Sequence, residues 1–173
     1  TPGRYRIDLL AYPATTQTPL VDQPLTIAWF WYGAPPAPPQ VALNRDWVNG
    51  IRLIGHNGIP ATLASGAGLH VETQWTAAQT IHESYTLFAH LIGPDGQLVA
   101  QDDHQPEAGF YPTWGWIPQA RVGDAFQLTL PTNLAPGDYQ LVIGWYLPAS
   151  GERVKLKDGT DTLLLRSWTI RSK

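Results

Sequence analysis

The chain has 173 residues, with 11 basic and 14 acidic side chains, a net charge of -3 and no cysteine. At about 100–200 residues per domain this is one domain, or one domain and a fragment, long enough to bury a core without staples. Lack of cysteine excludes a disulfide scaffold, Cys-ligated zinc, an iron–sulfur cluster and a thiol nucleophile. The small net charge gives no electrostatic footprint for nucleic acid or anionic lipid.

Sixteen Gly, sixteen Pro, eight Trp and only 14% charged residues describe many short strands joined by turns. The opening Thr1-Pro2-Gly3-Arg4 lacks a basic stretch followed by an apolar run, so it does not read as a signal peptide. Without a starting Met, it reads as a piece cut from something longer. Tyr5-Arg6-Ile7-Asp8-Leu9 then alternates apolar and charged residues, as expected of a half-buried strand. Leu25-Thr26-Ile27-Ala28-Trp29 does the same and runs into Phe30-Trp31-Tyr32, where both strand faces carry aromatic rings. Packing is the plain reading of that cluster, and an exposed aromatic strand would mark an interaction surface.

Residues 34–46 contain Pro35-Pro36-Ala37-Pro38-Pro39, a stiff polyproline segment, and read as a linker between a strand pair (1–33) and the main domain (47–173). Strands are expected at Ile51–Gly55, Leu69–Trp75, Tyr85–Ile92, Leu98–Asp102, Phe126–Leu130, Leu141–Tyr146 and Leu163–Ile170. Tyr85–Ile92 and Leu141–Tyr146 are apolar on both faces and read as central strands. These runs fall far short of the ~20 residues that span a bilayer, so membrane contact is expected only through flanking segments. Pro94-Asp95-Gly96 is a hairpin turn with Gly96 at positive φ. In Leu134-Ala135-Pro136-Gly137-Asp138-Tyr139 the tyrosine is placed to bond an upstream backbone group, as in a tyrosine corner. No window keeps a 3.6-residue period. The fold class is all-β: an antiparallel β-sandwich, Ig-like or jelly-roll-like with Greek-key connections, of about seven to nine strands.

Pro2-Gly3-Arg4-Tyr5 through Tyr12 parallels Pro136-Gly137-Asp138-Tyr139 through Tyr146 without a gap. Either residues 1–33 are the last strands of a preceding sandwich repeat, or Pro-Gly-x-Tyr recurs by chance ahead of strands.

The order of pieces from Ile51 to Ile170 resembles a β-sandwich domain of large bacterial envelope proteins. The matching pieces are Ile51-Arg52-Leu53-Ile54-Gly55, Leu69–Trp75, Tyr85–Leu91, Gly96–Asp102, Gly109-Phe110-Tyr111-Pro112-Thr113 ahead of Trp116, Pro136–Tyr139, Gly144-Trp145-Tyr146 and Gly151-Glu152-Arg153. That domain sits at the extracytoplasmic C-terminus of multi-span, glycosyltransferase-like membrane proteins. The resemblance therefore implies architecture and an extracytoplasmic location. The sequence departs from the pattern at its N-terminus, where transmembrane helices belong, and at Asp102-Asp103-His104, which is more polar.

The segment from Asp102 to Trp116 concentrates the chemistry, with three carboxylates, a histidine and four aromatics. Aromatic faces beside carboxylates can stack on and hydrogen-bond a sugar, so Tyr111, Trp114, Trp116, Asp103, His104 and Glu107 are the candidate ligand-binding residues. The competing reading folds the aromatics inward to cap one end of the sandwich. Asp102, Asp103 and Glu107 lack EF-hand spacing, and adjacent Asp residues on a strand point to opposite faces, which disfavours calcium. The five histidines form no close pair of the kind a metal needs, and His90 lies in an apolar strand where one hydrogen bond would satisfy it. Asp103 and Glu107 have a spacing that glycoside hydrolysis could use, as do many surface carboxylate pairs, and no nucleophile elbow, phosphate loop or HExxH motif occurs. The expected function is a non-catalytic accessory module without cofactor or metal, structural or binding a glycan or an envelope protein. A carbohydrate-binding module is the second reading and a glycan hydrolase the third.

Overall fold

The computed structural model describes residues 3–11, 13, 18–19, 21, 23–34 and 36–172. Pro2 and Tyr12 of the internal parallel, and Pro35 of the polyproline segment, lie outside these residues. The chain divides into two compact units, Thr1–Ala37 and Pro38–Lys173. No helix among the described residues is long and apolar enough to cross a membrane.

In the first unit β1 (Gly3–Leu9) and β2 (Leu25–Tyr32) form a two-stranded antiparallel sheet. Tyr5 stacks on the cross-strand Phe30 with ring centroids 5.4 Å apart. Asp8 accepts hydrogen bonds from Thr26 Oγ1 (2.7 Å) and Arg6 Nε (2.9 Å). Those partners, Thr26 first, hold its carboxyl below the usual range.

The second unit holds β3 (Val41–Asp46), β4 (Ile51–Asn57), β5 (Gly68–Ala77), β6 (Thr86–Ile92), β7 (Leu98–His104), β8 (Val122–Thr129), β9 (Gly137–Leu147), β10 (Glu152–Val154) and β11 (Leu163–Ile170). One sheet runs β3-β4-β5-β8 and the other β10-β9-β6-β7, with β11 also on β9. Since β6 pairs with Gln140–Tyr146 of β9, both β10 and β11 lie end to end along the opposite edge of β9. The chain changes sheet after β5, after β7 and after β8, which is the Greek-key pattern expected. With β1 and β2 the strands number eleven among the described residues, more than the seven to nine expected.

Alternation explains which faces meet. On β5, Leu69, Val71, Thr73, Trp75 and Ala77 are buried while His70 and Glu72 are exposed. Trp75 meets Trp145 of the facing sheet edge-on, with centroids 5.0 Å apart, and Trp47 lies 5.5 Å from Trp75. These rings are fully buried and form the centre of the core. The tyrosine corner forms: buried Tyr139 donates its hydroxyl to the Ala135 carbonyl at 2.9 Å. Gly96 takes φ +76° in its turn, and Asp95 Oδ1 accepts from Gln97 N–H at 3.0 Å.

Two strands were not expected. Residues 41–46, assigned to the linker, form β3, whose alternation is broken by a bulge between Ala42 and Arg45 with Asn44 at φ +51°. The strand β10 has only three residues. At the other edge of that sheet β7 runs to His104, so Asp103 and His104 are strand residues rather than loop residues.

Candidate functional site

β7 and β8 are edge strands of opposite sheets. On β8 the inward slots are filled by Val122, Phe126 and Leu128, yet the slot at 124 carries an aspartate whose side chain is 5% exposed. On β7 alternation turns Asp102 and His104 to one face and Asp103 to the other. The His104 imidazole stands between two carboxylates, with Nδ1 2.9 Å from Asp102 Oδ1 and Nε2 3.2 Å from Asp124 Oδ2. The hydrogen bond to Asp124, opposed by burial and aided by Asp102, pushes its pKa up to about 9. At neutral pH it is an imidazolium donating from both nitrogens.

The remaining oxygens of the two carboxylates are also engaged. Asp102 Oδ2 accepts from Gln127 N–H (2.8 Å), and Asp124 Oδ1 accepts from Ala125 N–H (3.0 Å) and Glu107 N–H (3.3 Å). A concavity of about 310 Å³ at this cluster is lined by His70, Asp102, His104, Ala108, Asp124 and Gln127 among others. The bond to Asp124 also anchors the 3-10 turn Pro106–Gly109, in which Glu107 and Ala108 adopt φ +52° and +53°. Such left-handed conformations cost non-glycine residues about 1–3 kcal/mol each and persist where the surroundings hold them. The cluster joins the edges of the two sheets; its acceptors are committed within the protein.

The aromatics of the segment part company. Tyr111 is 0% exposed and Trp116 2%, whereas Trp114 is 43% exposed. Trp116 lies 5.9 Å from Trp145, donates Nε1–H to the Tyr111 carbonyl (3.1 Å), and the Tyr111 hydroxyl accepts from Ile117 N–H (3.0 Å). Neither Tyr111 nor Trp116 has a free face for a sugar, because both rings complete the core at the end of the sandwich. Asp103 turns away to His90 at 3.0 Å, so it shares no cation with Asp102. The six residues expected to form one site are therefore divided. Two are core, His104 joins the sheets, Asp103 pairs with His90, Glu107 sits in the strained turn and Trp114 is on the surface.

A groove of about 370 Å³ opens elsewhere in this unit. Val48 and Asn49 of the β3–β4 turn, Tyr85 ahead of β6, Leu147 of β9, and Glu152, Arg153, Val154 and Lys155 line it. The turn is held by Val48 N–H donating to the Lys155 carbonyl at 2.9 Å and by the Trp47–Leu156 bridge. Arg153 is positioned over the Phe88 ring, 4.7 Å from its centroid, and 3.8 Å from Asp161. An aromatic ring, an amide, a carboxylate, two cations and aliphatic side chains thus line one groove. Tyr85, Glu152 and Arg153 belong to pieces quoted for the resemblance, but the sequence did not mark any of the lining residues as a site. The available signal was a charged pair on a hairpin after an apolar strand.

No family model matches the chain, and no curated protein is significantly similar to it. Among solved structures, the crystal structure of the C-terminal domain of Wzt aligns at 17% identity over 72% of this chain and 72% of that one, with a TM-score of 0.39.

Proposed function

We propose that the chain is a non-catalytic accessory β-sandwich of a larger bacterial envelope protein, acting outside the cytoplasm and holding a glycan in the Tyr85–Arg153 groove. The observation that carries this reading is the chemistry of the groove. An aromatic ring accepts the C–H face of a pyranose, while Asn49, Glu152, Arg153 and Lys155 supply donors and acceptors for hydroxyls. Arg153 is held in place by Phe88 and Asp161, so less of its side-chain freedom is lost on binding. Arg153 and Lys155 are balanced by Glu152 and by Asp161 beside Arg153, so the groove suits neutral as well as acidic sugars. The resemblance of the ordered sequence pieces from Ile51 to Ile170 to the sandwich domain of multi-span glycosyltransferase-like proteins supports the envelope setting.

The non-catalytic part of the proposal is supported by the carboxylates at 102 and 124, whose oxygens already accept from His104 and backbone N–H groups. Titration calorimetry with neutral and carboxylated oligosaccharides tests the reading. Saturable binding is expected, at least tenfold weaker in Tyr85→Ala and Arg153→Ala and unchanged in Trp114→Ala. Absence of binding by the folded chain, or its loss in Trp114→Ala alone, contradicts the groove assignment.

A further inference from the structure

Gly3 stands opposite Tyr32, Tyr5 opposite Phe30 and Ile7 opposite Ala28; the register then slips by one residue, and Asp8 and Leu9 stand opposite Thr26 and Leu25. In the second unit Gly137 stands opposite Ile170, Tyr139 opposite Trp168 and Leu141 opposite Arg166. The register slips at the same place, and Val142 and Ile143 stand opposite Leu164 and Leu163. Aligning Gly3 with Gly137 makes every cross-strand pair coincide, and Ile27 and Leu165 are the extra residues of equivalent bulges. Bulges and register are specified by pattern and twist, and a chance Pro-Gly-x-Tyr carries neither. The tyrosine faces an aromatic ring in both pairs, Phe30 in one and Trp168 in the other.

The two hairpins differ in their cover. Tyr139, Leu141 and Ile143 are 2%, 0% and 0% exposed beneath the facing sheet, and β6 pairs along the edge of β9. Their counterparts Tyr5, Ile7 and Leu9 are 39%, 45% and 56% exposed in a sheet of two strands among the described residues. Two-stranded sheets are marginal in water.

We infer that β1–β2 is the closing strand pair of a second sandwich of this fold, and that its β1 edge and Tyr5/Ile7/Leu9 face dock a β6-type strand from that sandwich. The occupant is an extended segment with apolar residues at alternate positions, added antiparallel. The β6–β9 register sets its alignment: the residue equivalent to Leu91 stands opposite Ile7, the one equivalent to Ala89 opposite Leu9, and the one equivalent to His90 opposite Asp8.

The cysteine-free chain makes the register testable. Ile7→Cys is introduced into the full chain at an exposed position, with its fold checked by circular dichroism. It is oxidised with a peptide of residues 84–93 carrying either Leu91→Cys or His90→Cys. Directly opposed residues of an antiparallel pair lie within disulfide reach, whereas a one-residue slip puts the thiols on opposite faces. Cross-linking is expected to be at least tenfold greater for Leu91→Cys. Equal yields, no cross-link in the folded chain, a preference for His90→Cys, or dominant Ile7→Cys homodimer (a second copy as occupant) would each overturn the inference.

Discussion

His104 on β7 and Asp124 on β8 join edge strands of two different sheets through a contact of 3.2 Å, and Asp102 accepts from the other nitrogen of the same imidazole. A sandwich must close along its open sides, and inward-pointing charge at an edge also discourages pairing with other chains. Here the charge is compensated within the fold, so closure depends on the protonation of one ring.

The stability of the second unit should therefore fall on the alkaline side. The His104 pKa rises from 6.5 to about 9 on folding, so its contribution is complete below pH ~6.5 and is lost as pH rises through about 9. Full expression of the shift corresponds to an upper bound of about 3 kcal/mol. Urea midpoints between pH 6 and 10 should show this decline, and His104→Gln should flatten it. An unchanged slope in that variant would remove the ion pair from the account.

Buried His56 should act in the opposite sense. Burial, then the positive charge of Arg166, lowers its pKa, so the folded state prefers it neutral. Its contribution is present above pH ~6.5 and is lost as pH falls below that value. Replacement by Gln should reduce the loss of stability between pH 6.5 and 5. A wild-type acid limb would show that other groups dominate there.

Two neighbouring tryptophans should respond differently to truncation. Trp116→Ala removes a ring packed on Trp145 and should cost about 3–5 kcal/mol. Trp114→Ala, at an exposed ring, should cost under ~1 kcal/mol. Equal destabilisation in denaturant titrations would contradict the division of the segment into core and surface.

Gly144 meets the Phe88 ring so closely that an added Cβ would stand 2.4 Å from its Cζ. Gly144→Ala should destabilise by about 1–3 kcal/mol through overpacking. Phe88→Leu should recover part of that loss in a double-mutant cycle. Additive effects in the cycle would mean that the glycine is required for another reason.

The strands were legible where alternation is undisturbed. Leu69–Trp75 lies within β5 as its alternation predicts, and the Tyr139 corner follows from its turn chemistry. β3 was not legible because Asn44 and its bulge interrupt the period. The polar residues of 102–116 drew attention as a ligand site because the partner of His104 lies 20 residues on, in the other sheet. Nothing local marks Asp124 as that partner. The groove was hidden for the same reason: Asn49, Tyr85 and Arg153 meet only once β9 has brought β6 and β10 to its two edges.

The most direct test of the account is an amide NMR titration of the labelled chain with a carboxylated oligosaccharide. The account predicts saturable shifts at Asn49, Tyr85, Glu152, Arg153 and Lys155, with Trp114 and His104 unmoved. Shifts centred on Trp114 and the His104 concavity, or none at millimolar ligand, would contradict it.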